Sequence, residues 1–206
     1  MTFYDRSEAG RLLAKKLGAY RRADAVVLAL PRGGVVLGYE VAQDLDLPLD
    51  IIAVRKIGHP NNPEFAVCAV DEHGTLLCDE AGRASLDPDW LRQEVMREQK
   101  ESQRRNKVYR QGKKPLSITG KTAIIVDDGV ATGLTMRLAI MAVRSQKPKR
   151  IVVAVPVAPF EPVEQISEQA DESVVLTPPE DFLGAVGTHY ERFAQVSDDE
   201  VIRLLS

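Results

Sequence analysis

The sequence predicts an α/β fold, a doubly wound and mostly parallel sheet flanked by helices, and three observations carry that prediction. Apolar, β-branched runs at 25–30, 49–54, 124–126 and 150–155 are too continuous for half-exposed strands and suit strands covered on both faces. Stretches with helical apolar spacing separate them, so strand and helix alternate along the chain. Turn residues follow the strands directly, as Pro31-Arg32-Gly33-Gly34 after the first and Asp127-Asp128-Gly129 after the third. In such a sheet ligands bind in the crevice beyond the carboxyl ends of the strands, where these loops would converge.

Taken in order, residues 5–17 form an amphipathic leading helix, with Leu12, Leu13 and Leu17 on one side and Arg11, Lys15 and Lys16 elsewhere. The strand 25–30, a helix at 35–45 and the strand 49–54 follow. Arg55 to Pro63 contains Gly58, Pro60, Asn61, Asn62 and Pro63 and no apolar period, which predicts an exposed, mobile loop. Phe65 to Val70 and Thr75 to Cys78, joined around Glu72-His73-Gly74, read as a β-hairpin. A charged helix runs from Asp87 to Gly112, with Asp87 as its cap, Pro88 at its first position and Trp90 as a packing residue. Its charges predict a solvated face, a candidate dimer edge. After the strand 124–126 come a helix from Thr135, the strand 150–155, a helix at 161–170 and a short strand at 173–176. The tail beyond Thr177, broken by Pro178-Pro179, is too short for a domain and reads as a small C-terminal hood. Residues 1–206 are thus expected to form one domain, with a core at about 20–176, a loop and hairpin insertion at about 55–80 and the hood at about 177–206.

With 44% hydrophobic, 28% charged and 5% aromatic residues the chain fits a soluble globular protein, and a net charge of −3 argues against nucleic-acid binding. No apolar stretch approaches a membrane span and the first residues lack the basic and apolar regions of a signal peptide, so the expected location is the cytoplasm. Cys68 and Cys78 could face each other across the hairpin. A reducing compartment makes a disulfide unexpected and two ligands leave a metal site incomplete, so both are read as small apolar residues.

The most informative stretch is Ile124 to Thr135, where an apolar run ends abruptly in two carboxylates and a Gly/Thr-rich turn that opens a helix. Backbone N–H groups of Ala131 to Thr135 and the hydroxyls of Thr132 and Thr135 can wrap a phosphate monoester at a helix N-terminus, where orphan donors and dipole both favour an anion. Asp127 and Asp128 repel phosphate, so they serve something adjacent that donates hydrogen bonds or carries positive charge; ribose hydroxyls and Mg²⁺ fit. No Lys follows Gly133 as a Walker A loop requires, and the sequence from Arg32 to Gly38 is not Gly-x-Gly-x-x-Gly.

This segment resembles, over its whole length, the phosphoribosyl pyrophosphate signature of the type I phosphoribosyltransferases. The resemblance implies that Asp127 and Asp128 are catalytic and bind the ribose diol and Mg²⁺, directly or through water. It implies that Gly129, Val130, Ala131, Thr132, Gly133, Leu134 and Thr135 hold the 5′-phosphate. Arg32, Gly33 and Gly34 fall where the family carries its pyrophosphate loop, often with a strained cis peptide, for which Pro31–Arg32 is the candidate. Arg55 and Lys56 would add positive charge beside the same diphosphate. The loop after them resembles the family's catalytic loop, which closes over the oxocarbenium-like transition state and excludes water. Glu64 at its end is a candidate acid/base residue, with Lys56 as a second catalytic candidate and His59 unassigned. Phe182, Tyr190 and Phe193 are candidates to stack a base, the alternative being that they anchor the tail. In 6-oxopurine enzymes an Asp stands where this chain has Ala131, which sets hypoxanthine and guanine chemistry in doubt.

The resulting expectation is Mg²⁺-dependent transfer of a phosphoribosyl group to a small nitrogenous acceptor, a nucleobase in the first instance, by a homodimer with no nucleic-acid or membrane partner. A regulatory protein that senses phosphoribosyl pyrophosphate without catalysis is the alternative. A phosphohydrolase on the same sheet lacks an evident nucleophile.

Overall fold

The computed structural model describes residues 1–206 apart from the side chain of Glu64. Helix α1 (Arg6–Lys16) leads, capped by Asp5, whose carboxylate accepts from the Glu8 N–H. Strand β1 (Ala25–Ala29), helix α2 (Gly33–Leu45) and strand β2 (Leu49–Ile51) follow. A second sheet of β3 (Arg55–His59), β4 (Asn62–Val70) and β5 (Leu76–Cys78) leads to α3 (Glu80–Ala84) and the long α4 (Pro88–Arg110). The chain returns to the first sheet with β6 (Thr122–Val126), α5 (Leu134–Ser145), β7 (Arg150–Val155), α6 (Phe160–Ser167) and β8 (Glu172–Val175), and closes on α7 (Asp198–Leu205).

The main sheet is parallel throughout, in the order β2-β1-β6-β7-β8. Alternate residues of each strand enter opposite cores, as the two-residue period of a strand requires. Val26, Leu28, Ala123 and Ile125 pack on one side with Met136, Leu138, Ala139 and Val143 of α5. Val27, Ile124 and Val126 pack on the other with Leu13 of α1 and with Leu37, Val41 and Leu45 of α2. This double covering is why the strands read as continuous apolar runs. None of the helices among the described residues is long and apolar enough to cross a membrane.

The structure corrects or extends the expected organisation at four points. The segment expected as a mobile loop contains strand β3, paired antiparallel with β4 and carrying register shifts on both sides of Gly58. Backbone pairing holds it, so it needs no apolar period. Cys68 and Cys78 are directly opposite in β4 and β5 and form a disulfide rather than packing as free thiols; strand register brought them together. The charged outer face of α4 is solvated as expected, and its inner face adds buried polar residues, Glu98, Ser102, Arg105 and Asn106. The tail is more than a hood: Ser197 caps α7, accepting from the Glu200 N–H, and Val196 and Val201 pack with Val35, Ile51 and Tyr109.

Candidate active site

The strand order reverses between β1 and β6, and the loops after these two strands leave the sheet side by side. The Leu30 N–H donates to the Val126 carbonyl at 3.0 Å, which keeps them together. Contact beyond that point is close: a Cβ on Gly34 would stand 2.9 Å from Asp127 Cα and from the Val126 oxygen, and one on Gly33 would stand 1.9 Å from Asp128 Oδ2. Only glycines let the expected diphosphate loop lie against the acid pair. The Pro31–Arg32 peptide is cis.

Asp127 and Asp128 form the floor. Burial pushes the Asp127 carboxyl well above its ordinary range, and the Asp128 charge pushes it further. Asp128 is raised by burial too, against the pull of Arg6, whose Nε donates to Oδ2 at 2.7 Å. The pair therefore carries more negative charge than its neighbours neutralise, the condition that a divalent cation or a hydroxyl donor relieves.

Beside the pair, the Val130 N–H donates to the Val157 carbonyl at 2.9 Å and ties the turn to the end of β7. Gly133 caps α5 at φ +81°, a left-handed conformation that other residues rarely adopt. The N–H groups of Ala131, Thr132 and Gly133 and the hydroxyls of Thr132 and Thr135 donate to no acceptor among the described residues. A helix N-terminus with that many open donors can accommodate an anion.

The cleft above has a volume of about 460 Å³ and is lined by the acid pair, the turn from Gly129 to Gly133, Thr135 and Met136, with Lys56 and Ala66 across from them. Gly184, Ala185, Val186, Gly187 and Phe193 close it from the hood. Of the two expected cations of β3, only Lys56 lines the cleft. Consecutive strand residues face opposite ways, so Arg55 turns to Glu98 of α4, at 2.8 Å. Arg32 caps α2 and meets Asp198 of α7 at 3.5 Å. Tyr190 offers no face to a base: it is 6% exposed, its ring lies against Phe3 and Phe193, and its hydroxyl donates to the Asp128 carbonyl at 2.6 Å. Phe182 stacks on the buried His189 outside the cleft lining. Phe193 alone of the three reaches the cleft, with the Arg6 guanidinium over its ring. The side chain of Glu64 lies outside the described residues, and His59 accepts from the Asn61 N–H in the turn between β3 and β4.

Sequence reasoning missed the placement of Arg6 beside Asp128, the hood residues at 184–187 and the support of the loop at 31–34. Arg105 of α4 donates to the Pro31 carbonyl at 3.3 Å, with Glu101 holding the guanidinium at 2.8 Å. Asp198 accepts from the Tyr109 hydroxyl at 2.6 Å and from Arg104 at 2.9 Å, on the side chain that also faces Arg32. The Tyr109 hydrogen bond, then Arg104, hold its carboxyl below the usual range. A group of that kind stabilises the fold above its unfolded value and loses the effect as pH falls through the lower, folded value. Asp198→Asn is therefore expected to cost about 1–2 kcal/mol at neutral pH, with the difference from the parent chain shrinking as pH falls below about 4. Melting curves at the two pH values check it.

A family model described as a phosphoribosyl transferase domain matches residues 4–192. A protein of Mycobacterium tuberculosis strain H37Rv, provisionally named a phosphoribosyl transferase, is 42% identical over 205 residues, covering 98% of this chain and 46% of its own length. The chain thus spans about half the length of the curated relatives it matches. The crystal structure of TT1426 from Thermus thermophilus is 43% identical, with a TM-score of 0.80, and covers 100% of this chain and 98% of that one. The AQ2163 protein from Aquifex aeolicus, at 12% identity and a TM-score of 0.51 over 83% of this chain and 73% of its own, shares the fold. With a sheet whose loops meet at its reversal point and a family match running nearly end to end, this chain belongs to the phosphoribosyl transferase domain family.

Proposed function

We propose that the protein transfers a phosphoribosyl group from phosphoribosyl pyrophosphate to a small nitrogenous acceptor, a nucleobase in the first instance, and releases pyrophosphate. The observation that supports this reading is the close approach of Gly33 and Gly34 to Asp127 and Asp128, which brings the loop after β1 against the acid pair, beside a cleft lined by that pair and the turn at 129–133. In the proposed mode, the turn at 129–135 fixes the 5′-phosphate and the acid pair accepts the ribose hydroxyls. The 33–34 loop and Lys56 face the diphosphate.

Asp127 and Asp128 supply two carboxylate groups to the cleft, a donor set compatible with Mg²⁺. Mg²⁺ is commonly held by one or two carboxylates, with water and substrate phosphates filling its other positions. It would supply charge neutralisation on the departing diphosphate. As the C1–O bond breaks, positive charge grows on the ribose ring, and the adjacent carboxylates stabilise it while the hood keeps water away.

Incubation with labelled phosphoribosyl pyrophosphate, Mg²⁺ and a panel of nucleobases and amines tests the proposal through pyrophosphate release. Turnover with one acceptor class supports it. Tight donor binding with no acceptor would replace catalysis by sensing, and no donor binding by folded protein would end the reading.

A further inference from the structure

The Arg6 guanidinium lies beside the acid pair, between Asp128, the Phe193 ring and the loop at Gly33. Residues 3 and 4 are stitched to the hood, Phe3 N–H to the His189 carbonyl at 2.8 Å and Arg192 N–H to the Tyr4 carbonyl at 2.9 Å. Asp5 then starts α1, and its first residue, Arg6, turns inward with its side chain 12% exposed. Nε donates to Asp128 Oδ2 at 2.7 Å, Nη1 donates to the Ala194 carbonyl at 2.7 Å, and Cζ lies 3.8 Å from the centre of the Phe193 ring. A Cβ on Gly33 would stand 2.9 Å from Nε, so the same group lies against the diphosphate loop. A cation in the first turn of a helix opposes the helix dipole, so α1 gains nothing from an arginine there. Nη2 donates to none of the described residues, which leaves part of a five-donor fork open.

We propose that Arg6 is a catalytic residue of the donor site, binding the donor's diphosphate through the N–H groups that Asp128 and Ala194 leave unused. The inference rests on the reading of the cleft as a phosphoribosyl pyrophosphate site. In the transfer, the C1–O bond breaks and its electron pair leaves with the diphosphate. The lone pair of the acceptor nitrogen forms the new C1–N bond, and that nitrogen gives its proton to solvent. Negative charge grows on the departing oxygens beside a guanidinium that is already in place, held by Asp128 and the Phe193 ring, and such pre-set charge lowers the barrier. Asp128 keeps Oδ1 for a ribose hydroxyl while Oδ2 steers Arg6.

Calorimetry with phosphoribosyl pyrophosphate and with ribose 5-phosphate, which lacks the diphosphate, tests this on the parent chain and on Arg6→Gln and Arg6→Lys. The expected result is unchanged ribose 5-phosphate affinity and at least tenfold weaker phosphoribosyl pyrophosphate binding by Arg6→Gln, partly restored in Arg6→Lys. Equal loss for both ligands overturns the proposal, since Arg6 would then only orient Asp128. Unchanged or tighter donor binding overturns it as well, the latter making the ion pair an obstacle. If Arg6→Gln fails to melt cooperatively, Arg6→Lys carries the same comparison of ligands. A parent chain that binds neither ligand removes the donor reading and this inference together, whereas binding by the parent chain separates the two.

Discussion

Asp127→Asn is expected to raise the melting temperature of the ligand-free protein by about 2–4 °C at neutral pH, the equivalent of about 1 kcal/mol for a chain of this size, while turnover falls at least a hundredfold, roughly the loss seen when one pre-set catalytic group is removed. The Asp127 carboxyl is raised by burial and by the Asp128 charge, so the folded chain holds its proton more tightly than the unfolded chain. By linkage, a raised group contributes stability fully below the unfolded value and loses it as pH rises through the folded one. At neutral pH, where the unfolded chain has given up this proton, the buried acid pair therefore works against the fold, and an amide of the same shape removes that penalty while its oxygen still accepts the Asp128 N–H. The advantage should shrink on acidification toward about pH 4, where the parent chain is also protonated. Asp128→Asn should behave differently, because it leaves the guanidinium of Arg6 without its carboxylate. A site that sacrifices stability for ligand binding predicts this opposition between melting temperature and activity. Parallel pH profiles for parent and Asp127→Asn would show that the pair is not repulsive.

The parts of the molecule that were legible share one property: their environment is written in local pattern. Ile124, Ile125 and Val126 are buried on both faces, so an apolar run is their only solution, and the acids and glycines after them mark the end of the strand. Asp87 and Pro88 announced the start of α4 by the chemistry of a helix cap alone. What was not legible depends on partners distant in sequence. Glu98, Ser102 and Arg105 lie on a face of α4 that is buried yet polar, where Ser102 bonds the Ala53 carbonyl and Arg105 the Pro31 carbonyl, and apolar periodicity does not register such a face. Cys68 and Cys78 were judged by compartment, whereas the register of β4 and β5 sets them opposite each other. Arg55 and Lys56 look equivalent in sequence until a strand places them on opposite faces. Arg6 had one faint signal, a cation at the dipole-positive end of a helix, and Asp198 had none beyond a Ser197 cap.

Gly34→Ala is expected to destabilise the chain by about 1–3 kcal/mol, the usual range for overpacking, and to abolish binding of phosphoribosyl pyrophosphate. The added methyl would stand 2.9 Å from Asp127 Cα and from the Val126 carbonyl oxygen, and backbone at the end of a central strand has no alternative rotamer to adopt. The loop after β1 must then retreat from the loop after β6, which separates the proposed diphosphate loop from the acid pair. Gly33→Ala makes a shorter contact, 1.9 Å, but with Oδ2 of Asp128, the end of a side chain that can swing. That variant should lose the Arg6–Asp128 ion pair and melt below the parent, though less so than Gly34→Ala, with its larger defect in donor affinity. Gly18→Ala supplies the control, since nothing lies within 4 Å of its added Cβ and it should match the parent in both measurements. Melting curves and donor calorimetry on the three variants distinguish the cases. A Gly34→Ala protein with parental stability and donor affinity would mean that the two loops do not meet over the acid pair, and the geometry from which the proposed chemistry is built would fail with them.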